Sequence, residues 1–340
     1  MADVWRRTRP PTLSAAVAGD AELLCRARPL IEDGVRDRVS VVEIDNGLER
    51  GAHFGSSGDA SFEVGSITKA MTGMLFADAI DRGEIAERTR IDELFPVRGS
   101  GVAAVTLGDL AGHRSGLPRL SPRKRDALGA AIALAARRDP YRADLTALLA
   151  QARAAAPGPP GRMAYSNLGG ALLGQALSVA AGIGYAGLLT ERLLTPLGMI
   201  DTYLPVTRNG IRPGALTGYD RRGRPTGPWT MNAAAPAGGV RSTPADMARF
   251  ARAVLDGAAP GMSALAPRWD ADGDGRIGYG WLTNRVGDRV VTWHNGATGG
   301  FASMLGLDRD RRRAVLVLSN TAAPVDGAAV ALLLGPISPR

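Results

Sequence analysis

The stretch Ser66-Ile67-Thr68-Lys69 places a serine and a lysine three residues apart at the start of a predicted helix. Residues 62–65 form a short, mostly apolar run that ends in glycine, and an apolar pattern typical of a helix continues to about residue 82. Side chains three positions apart share one face of a helix, so the Lys69 amine can lie against the Ser66 hydroxyl. A serine here can also cap the helix N-terminus, whose backbone N–H groups favour a developing anion.

Lysine is otherwise almost absent from the chain. Of the 41 basic residues only Lys69 and Lys124 are lysines, and all the others are arginines. A guanidinium stays protonated, whereas a desolvated lysine can become a neutral base. The lysine kept beside Ser66 therefore indicates a serine nucleophile that forms an acyl-enzyme, although the same spacing also arises by chance.

Length and composition are those of a globular protein larger than one usual domain. The chain has 340 residues, of which 45% are hydrophobic and 22% charged. No uncharged apolar run reaches the about 18 residues of a membrane span. The N-terminal segment is soon interrupted by Asp20 and Glu22, so we expect no signal peptide, a cytoplasmic location and no membrane partner. The single Cys25 excludes an internal disulfide, and we expect it to be a packed thiol.

The formal net charge of +8 does not by itself indicate a nucleic-acid partner. The arginines are scattered along the chain and are neither gathered on one helix nor placed between aromatic residues. Two dense basic runs, at residues 123–125 and 309–313, occupy turn-like positions. We interpret both runs as solvated surface and expect no binding of nucleic acid.

Strand patterns lie at both ends of the chain, around a helical middle. The predicted strands are residues 39–44, 49–54, 278–283, 289–293, 302–307 and 314–319. The predicted helices are residues 17–33, 66–82, 127–136, 143–156, 168–181, 185–194, 243–255 and a last one from about 323. Because both ends supply strands, the sequence predicts an α/β protein in which helices flank one antiparallel sheet.

The same pattern predicts two domains. Residues 1–90 and 231–340 form the α/β sheet domain, and residues 91–230 form a mostly helical second domain. Ligand pockets commonly lie between such parts, so we expect the site in the groove that separates them.

Two further stretches carry side chains that a serine nucleophile needs. Tyr165-Ser166-Asn167 follows a loop rich in proline and glycine; its phenol can share a proton with a lysine, and its asparagine amide can bind a substrate amide or ester. His294-Asn295-Gly296 ends a predicted strand and supplies substrate contacts close to the backbone. The backbone N–H groups of Ser66 and Ala297 are the candidate oxyanion hole.

Taken in order, these stretches resemble the serine β-lactamase-like family, which includes class C β-lactamases, D-Ala-D-Ala carboxypeptidases, D-aminopeptidases, and related esterases and transacylases. The resemblance covers about residues 35–335 and implies a β-lactamase/transpeptidase-like fold. The matching motifs are Ser66-x-x-Lys69, Tyr165-x-Asn167 and His294-x-Gly296, with supporting segments at residues 62–65, 113–117, 195–199 and 238–243.

The resemblance also implies a role for each matching residue. Ser66 would be acylated, Lys69 and Tyr165 would share the general acid–base work, and Asn167 would position the substrate. His294 stands where β-lactamases commonly carry lysine, and there it would hydrogen-bond Tyr165 or the substrate. A histidine is largely neutral at pH 7 and supplies no fixed charge for a substrate carboxylate.

We therefore expect a serine hydrolase or acyltransferase that acts through a Ser66 acyl-enzyme on a small-molecule ester or amide. The alternatives are a biosynthetic transacylase that passes the acyl group to an amine or alcohol, a β-lactamase or D-Ala-D-Ala carboxypeptidase, and a non-catalytic ligand-binding protein on the same fold. The expected partners are a small-molecule acyl donor and, for a transacylase, an acyl acceptor.

The remaining motifs have structural interpretations. His113 is predicted to be a loop histidine hydrogen-bonded to the backbone. Residues 270–275 resemble the start of a calcium loop, but Trp281 stands where its glutamate should be, so we predict a turn and no metal. Gly170 and Gly174 predict a closely packed helix. Neither a metal nor an organic cofactor is implied.

Overall fold

The central feature is an antiparallel sheet of nine strands, in a computed structural model that describes residues 11–335. The strands are β1 (Val17–Gly19), β2 (Val39–Asp45), β3 (Leu48–Phe54), β4 (Phe62–Glu63), β5 (Gly218–Tyr219), β6 (Pro225–Thr226), β7 (Arg241–Ser242), β8 (Trp269–Asp270), β9 (Arg276–Ile277), β10 (Leu282–Val286), β11 (Arg289–Ala297), β12 (Ala302–Asp308) and β13 (Arg313–Ser319). The large sheet has the order β1-β3-β2-β13-β12-β11-β10-β9-β8. β4 pairs with β7, and β5 with β6.

Strands from the two ends of the chain meet in the middle of this sheet. β2 pairs with β13 in antiparallel register over its full length, from Val39 opposite Ser319 to Asp45 opposite Arg313. The predicted antiparallel sheet, assembled from both ends of the chain, is therefore confirmed.

Helices cover both faces of the sheet, as predicted. They are α1 (Ala21–Ile31), α2 (Ile67–Asp81), α3 (Ile91–Leu94), α4 (Leu107–Ala111), α5 (Lys124–Ala135), α6 (Leu145–Arg153), α7 (Asn167–Ala181), α8 (Tyr185–Leu189), α9 (Pro244–Leu255) and α10 (Asp326–Leu334). α1 and α10 pack on one face, whereas α2 and α9 pack on the other. Successive side chains of a strand point to opposite faces, so Val315 and Val317 of β13 contact the first pair of helices and Leu316 and Leu318 the second.

Helices are the main regular elements in the middle of the chain, between long loops. Residues 91–230 contain α3 to α8, a π-helical turn at Thr190–Leu194 and the short β5–β6 hairpin. α7 lies at the centre of this part, and its buried side chains belong to the same apolar core as those of α2 and α9. The division into two domains stays a prediction.

Three local predictions were wrong. The predicted helix over residues 17–33 begins only at Ala21, because Gly19 has φ +112° and Asp20 caps the helix by accepting a hydrogen bond from the Leu23 N–H. The predicted strand over residues 278–283 begins at Leu282, after a turn with Gly280 at φ +70°. Cys25 is exposed, because α1 buries the face that carries Leu23, and Cys25 is two positions away from it.

No single helix of the described residues is long and apolar enough to cross a membrane. Asn167–Ala181 and Tyr185–Leu194 pass that test only as a pair, with an 84° bend between them. Residues 271–275 form the turn between β8 and β9, and Asp270 pairs with Arg276 at 3.1 Å. Among residues 11–335, no group of His, Cys, Asp or Glu side chains is placed to hold a metal ion.

Gly174 lets α7 pack directly on the 3-10 turn Asn232–Ala237, which confirms the predicted close packing of this helix. A Cβ atom at position 174 would lie 2.1 Å from the Pro236 Cβ. Gly174→Ala should therefore lower the free energy of unfolding by about 1–3 kcal/mol, measured by urea denaturation. Gly129→Ala is the matched control, because its Cβ meets no atom within 4 Å, and it should raise stability by about 0.5–1 kcal/mol. Equal effects of the two substitutions would contradict the close contact.

Candidate active site

Ser66 directly precedes α2, and its hydroxyl is not used to cap this helix. It occupies the cap position of the helix, but its side chain makes no capping hydrogen bond. The preceding Gly65 has φ +53°, and a Cβ there would lie 2.7 Å from the Ala297 backbone nitrogen. Ser66 is therefore held between the start of α2 and the end of β11, where the dipole of a buried helix favours negative charge.

Lys69 lies one turn into α2 and is almost completely buried, with 3% of its surface exposed. Its Nζ lies 3.0 Å from Ser66 Oγ and donates a hydrogen bond of 2.5 Å to the Ala237 carbonyl oxygen. Burial, reinforced by the nearby Arg119 charge, lowers the pKa of Lys69 well below its usual value. The amine can therefore exist in its neutral form beside the Ser66 hydroxyl.

Two chain segments hold this arrangement in place. The Val64 N–H donates to the Val240 carbonyl at 3.0 Å, and the Thr68 hydroxyl donates to the Gly65 carbonyl at 2.7 Å. Glu63 of β4 and Arg241 of β7 form a buried ion pair at 3.2 Å. These contacts hold residues 62–65 against residues 238–243, and this pairing places the Ala237 carbonyl beside Lys69.

Tyr165 lies just before α7 and reaches over the same amine. Lys69 Nζ is 4.9 Å from the centre of its ring, and the Arg119 guanidinium is 5.6 Å from that centre. Burial raises the pKa of the Tyr165 phenol to about 12, although a hydrogen bond with Ser66 and the Arg119 charge both oppose this shift. Tyr165 is therefore a neutral phenol near pH 7, able to donate or relay a proton.

Asn167 is the first residue of α7 and follows Tyr165 by two positions. Its amide nitrogen donates a 2.7 Å hydrogen bond to the Tyr141 hydroxyl. Its side-chain oxygen is buried and has no partner among residues 11–335. An unpaired buried acceptor is costly, so this oxygen is suited to accept a hydrogen bond from a ligand N–H or O–H group.

His294 lies on β11, buried behind Tyr165, with their ring centres 6.4 Å apart. Its Nδ1 is 2.6 Å from the Asn295 carbonyl oxygen, to which it donates when neutral. Burial and the Lys69 charge lower the pKa of His294 to about 3. The imidazole is thus uncharged near pH 7. Of its two predicted hydrogen-bond partners, Tyr165 or the substrate, Tyr165 forms no hydrogen bond with it in this structure.

The other residues of the third motif divide between the two faces of the sheet. Only glycine fits at position 296, because a Cβ there would lie 2.0 Å from the Val64 carbonyl oxygen and 2.9 Å from the Ser66 nitrogen. The Asn295 side chain instead donates to Asp326 at 2.6 Å on the opposite face. The structure therefore does not bring the Asn295 side chain to Ser66, since neighbouring residues of a strand alternate between faces.

His113 lies closer to the site than the sequence indicates. As predicted, it is hydrogen-bonded to the backbone, because the Ser166 N–H donates to its Nδ1 at 3.3 Å. Its ring also packs against that of Tyr165, with centres 4.5 Å apart. This contact was not predicted from the sequence, and neither were the roles of the Ala237 carbonyl, Tyr141 and Arg119. Only Ala237 had a signal, since it adjoins the glycine pair at residues 238–239.

Comparison with known proteins places these features in a family. The β-lactamase family profile matches residues 16–335. The chain is 30% identical over 284 residues to penicillin-binding protein 4 of Amycolatopsis lactamdurans, which covers 76% of this chain and 71% of that protein. It is 33% identical over 202 residues to the D-alanyl-D-alanine-carboxypeptidase/endopeptidase AmpH of Escherichia coli, covering 58% of this chain and 49% of AmpH. The chain thus matches only about half the length of AmpH.

Solved structures agree on the fold. A class C β-lactamase superposes with a TM-score of 0.81 at 19% identity, covering 94% of this chain and 98% of the other. A β-lactamase/D-alanine carboxypeptidase from Pseudomonas syringae gives a TM-score of 0.80 at 18% identity, covering 93% and 98%. Since the family profile spans nearly all the described residues, the chain belongs to the β-lactamase family and is a serine hydrolase of the β-lactamase and DD-peptidase kind.

Proposed function

We propose that this chain hydrolyses a small-molecule ester or amide through an acyl-enzyme on Ser66, as an esterase or amidase. The observation that carries the proposal is the buried Lys69 amine, 3.0 Å from Ser66 Oγ and with a lowered pKa. A neutral amine at this distance can take the hydroxyl proton, which is how a weak serine nucleophile is activated. Between Lys69 and Tyr165, the opposite shifts of their pKa values favour Lys69 as the base.

Acylation then follows from the geometry. Neutral Lys69 accepts the Ser66 proton while Oγ attacks the substrate carbonyl carbon, and the carbonyl oxygen becomes an oxyanion. The Ser66 and Ala297 N–H groups would stabilise that oxyanion. As the intermediate collapses, the bond to the leaving alcohol or amine breaks. The Tyr165 phenol donates a proton to this leaving group and regains one from the Lys69 ammonium.

Deacylation uses the same groups in reverse. Lys69 is neutral again, and through Tyr165 it takes a proton from an incoming water that attacks the Ser66 ester. The acid is released when the bond to Oγ breaks and Ser66 recovers its proton. An amine or alcohol in place of water would give acyl transfer through the same steps, so transacylation remains the alternative within this mechanism.

The charges of the site favour neutral acyl donors. His294 is buried with a pKa lowered to about 3, so the third motif supplies no positive charge for a substrate carboxylate. Cleavage of β-lactams or D-Ala-D-Ala peptides is the second candidate. Arg119 favours it, because this exposed guanidinium lies over Tyr165 and has no carboxylate partner within the described part of the chain.

Intact-mass spectrometry after mixing with p-nitrophenyl acetate tests the nucleophile. The wild-type protein should gain one acetyl group, and Ser66→Ala should gain none and lose about a thousandfold or more in kcat/KM. Lys69→Ala should slow acylation about a hundredfold or more, because the base is removed. The matched control is Lys124→Ala on exposed α5, which should react like the wild type. Turnover that persists in Ser66→Ala would refute the proposal.

The pH profile of kcat/KM tests the base. The rate should rise with pH as Lys69 loses its proton, and the rise should lie well below the usual lysine pKa. Arg119→Gln removes a positive charge that disfavours the ammonium, so it should raise the pKa of Lys69 and move this rise to higher pH. Arg119→Lys keeps the charge and should retain the wild-type profile. An unchanged profile in Arg119→Gln would contradict the assignment of the rise to Lys69.

Substitution at position 294 tests the preference for neutral donors. His294→Lys places a cation where the third motif faces the groove, and a charge-assisted hydrogen bond to a substrate carboxylate should form. The ratio of kcat/KM for a cephalosporin to that for p-nitrophenyl acetate should rise about tenfold or more. His294→Gln is the neutral control and should leave this ratio low. A wild-type enzyme that already prefers the cephalosporin would refute the preference.

A further inference from the structure

An apolar pocket with a volume of about 270 Å³ lies beneath α5. One face of α5 lines it with small or apolar side chains at helical spacing, from Ala127 through Ala130 to Leu134. The opposite wall comes from the body of the protein and includes Leu148 of α6 and Ala171 of α7. This space, referred to below as the α5 pocket, is lined mainly by apolar groups.

Three residues that line the α5 pocket also lie near the candidate active site. Asn167, whose amide bonds to the Tyr141 hydroxyl, forms part of the wall, as does Tyr141 itself. Arg119 lines the pocket as well, and its guanidinium lies 5.6 Å from the centre of the Tyr165 ring. The wall of the α5 pocket therefore includes residues that lie beside Tyr165.

The helix that roofs the pocket is weakly packed elsewhere. Ala133 is the only residue of α5 that is buried, and Leu128 and Ile132 are 64% and 62% exposed. On the face that lines the pocket, Ala127 and Ala131 are exposed and Leu134 is 49% exposed, so this face gains little burial from the protein itself. An apolar ligand beneath α5 would bury that face, and burial of apolar surface is favourable.

We propose that the α5 pocket binds the acyl chain of the substrate, and that this chain is apolar and of medium length. The proposal rests on the proposed acyl-enzyme function and specifies its acyl donor. An apolar cavity of about 150 Å³ holds one benzene molecule, so the larger α5 pocket has room for an octanoyl chain. Each buried methylene should raise kcat/KM about threefold to fourfold until the pocket is filled.

The test compares p-nitrophenyl octanoate with p-nitrophenyl acetate, which share one leaving group. The wild-type ratio of kcat/KM, octanoate over acetate, should be about a hundredfold or more, since six methylenes enter the pocket. Ala130→Phe fills the pocket from α5 and should lower this ratio at least tenfold. The ratio is measured within one sample, so it does not depend on the fraction of folded enzyme.

Ala135→Phe is the matched control, because Ala135 is exposed on the same helix and does not line the pocket. It should keep the wild-type ratio. A ratio near one in the wild type, or one that Ala130→Phe leaves unchanged, would overturn the proposal while the hydrolase function stands. Octyl acetate tests whether the pocket instead binds the leaving group of the substrate. If Ala130→Phe lowers kcat/KM for octyl acetate and not for p-nitrophenyl octanoate, the pocket holds leaving groups and the proposal is wrong.

Binding without turnover separates this inference from the proposed function. Calorimetry of Ser66→Ala with octanamide and acetamide should give an affinity for octanamide at least tenfold higher, and adding Ala130→Phe should abolish the difference. That result would support the pocket even if no ester were hydrolysed. Equal affinities for the two amides would overturn it.

Discussion

Burial of the Lys69 amine against Ser66 and the Ala237 carbonyl is the constraint on which the rest of the site depends. Removing an ammonium ion from water is costly, so the protein lowers the pKa of this amine instead of neutralising it with a carboxylate. The arrangement requires close packing on every side. Gly170 admits the lysine stem, since a Cβ there would lie 3.1 Å from Lys69 Cε, and Gly296 admits the end of β11.

The same burial determines the charge of the neighbouring groups. Tyr165 and His294 are buried beside Lys69. Burial raises the pKa of Tyr165 and lowers the pKa of His294, so both side chains are uncharged near pH 7. Positive charge remains on exposed Arg119, which lies over the Tyr165 ring and also disfavours the lysine ammonium. The side chains around Ser66 are thus uncharged, which is the basis for the proposed preference for neutral acyl donors.

The sequence was sufficient where one local rule decides the outcome. The spacing of Ser66 and Lys69 predicts their contact, and the strand patterns at both chain ends predict the sheet. The sequence was insufficient where the partner comes from a distant segment: nothing near Asn167 indicates the Tyr141 hydroxyl, and nothing near residue 119 indicates its place over Tyr165. The orientation of Asn295 was predictable, because side chains alternate along a strand and the Asn295 side chain therefore lies on the face opposite to that of His294.

A measurement of the pKa of Lys69 tests whether this amine is the base that activates Ser66, and the scarcity of lysine makes the measurement practical. Protein labelled with ¹³C at lysine Cε should give two resonances, from Lys69 and Lys124, and Lys124→Arg assigns them. We predict that the Lys69 resonance titrates well below the usual lysine value of about 10.4. A Lys69 resonance that titrates at or above about 10.4 would contradict the assignment of Lys69 as the base, because the amine would then be protonated near pH 7.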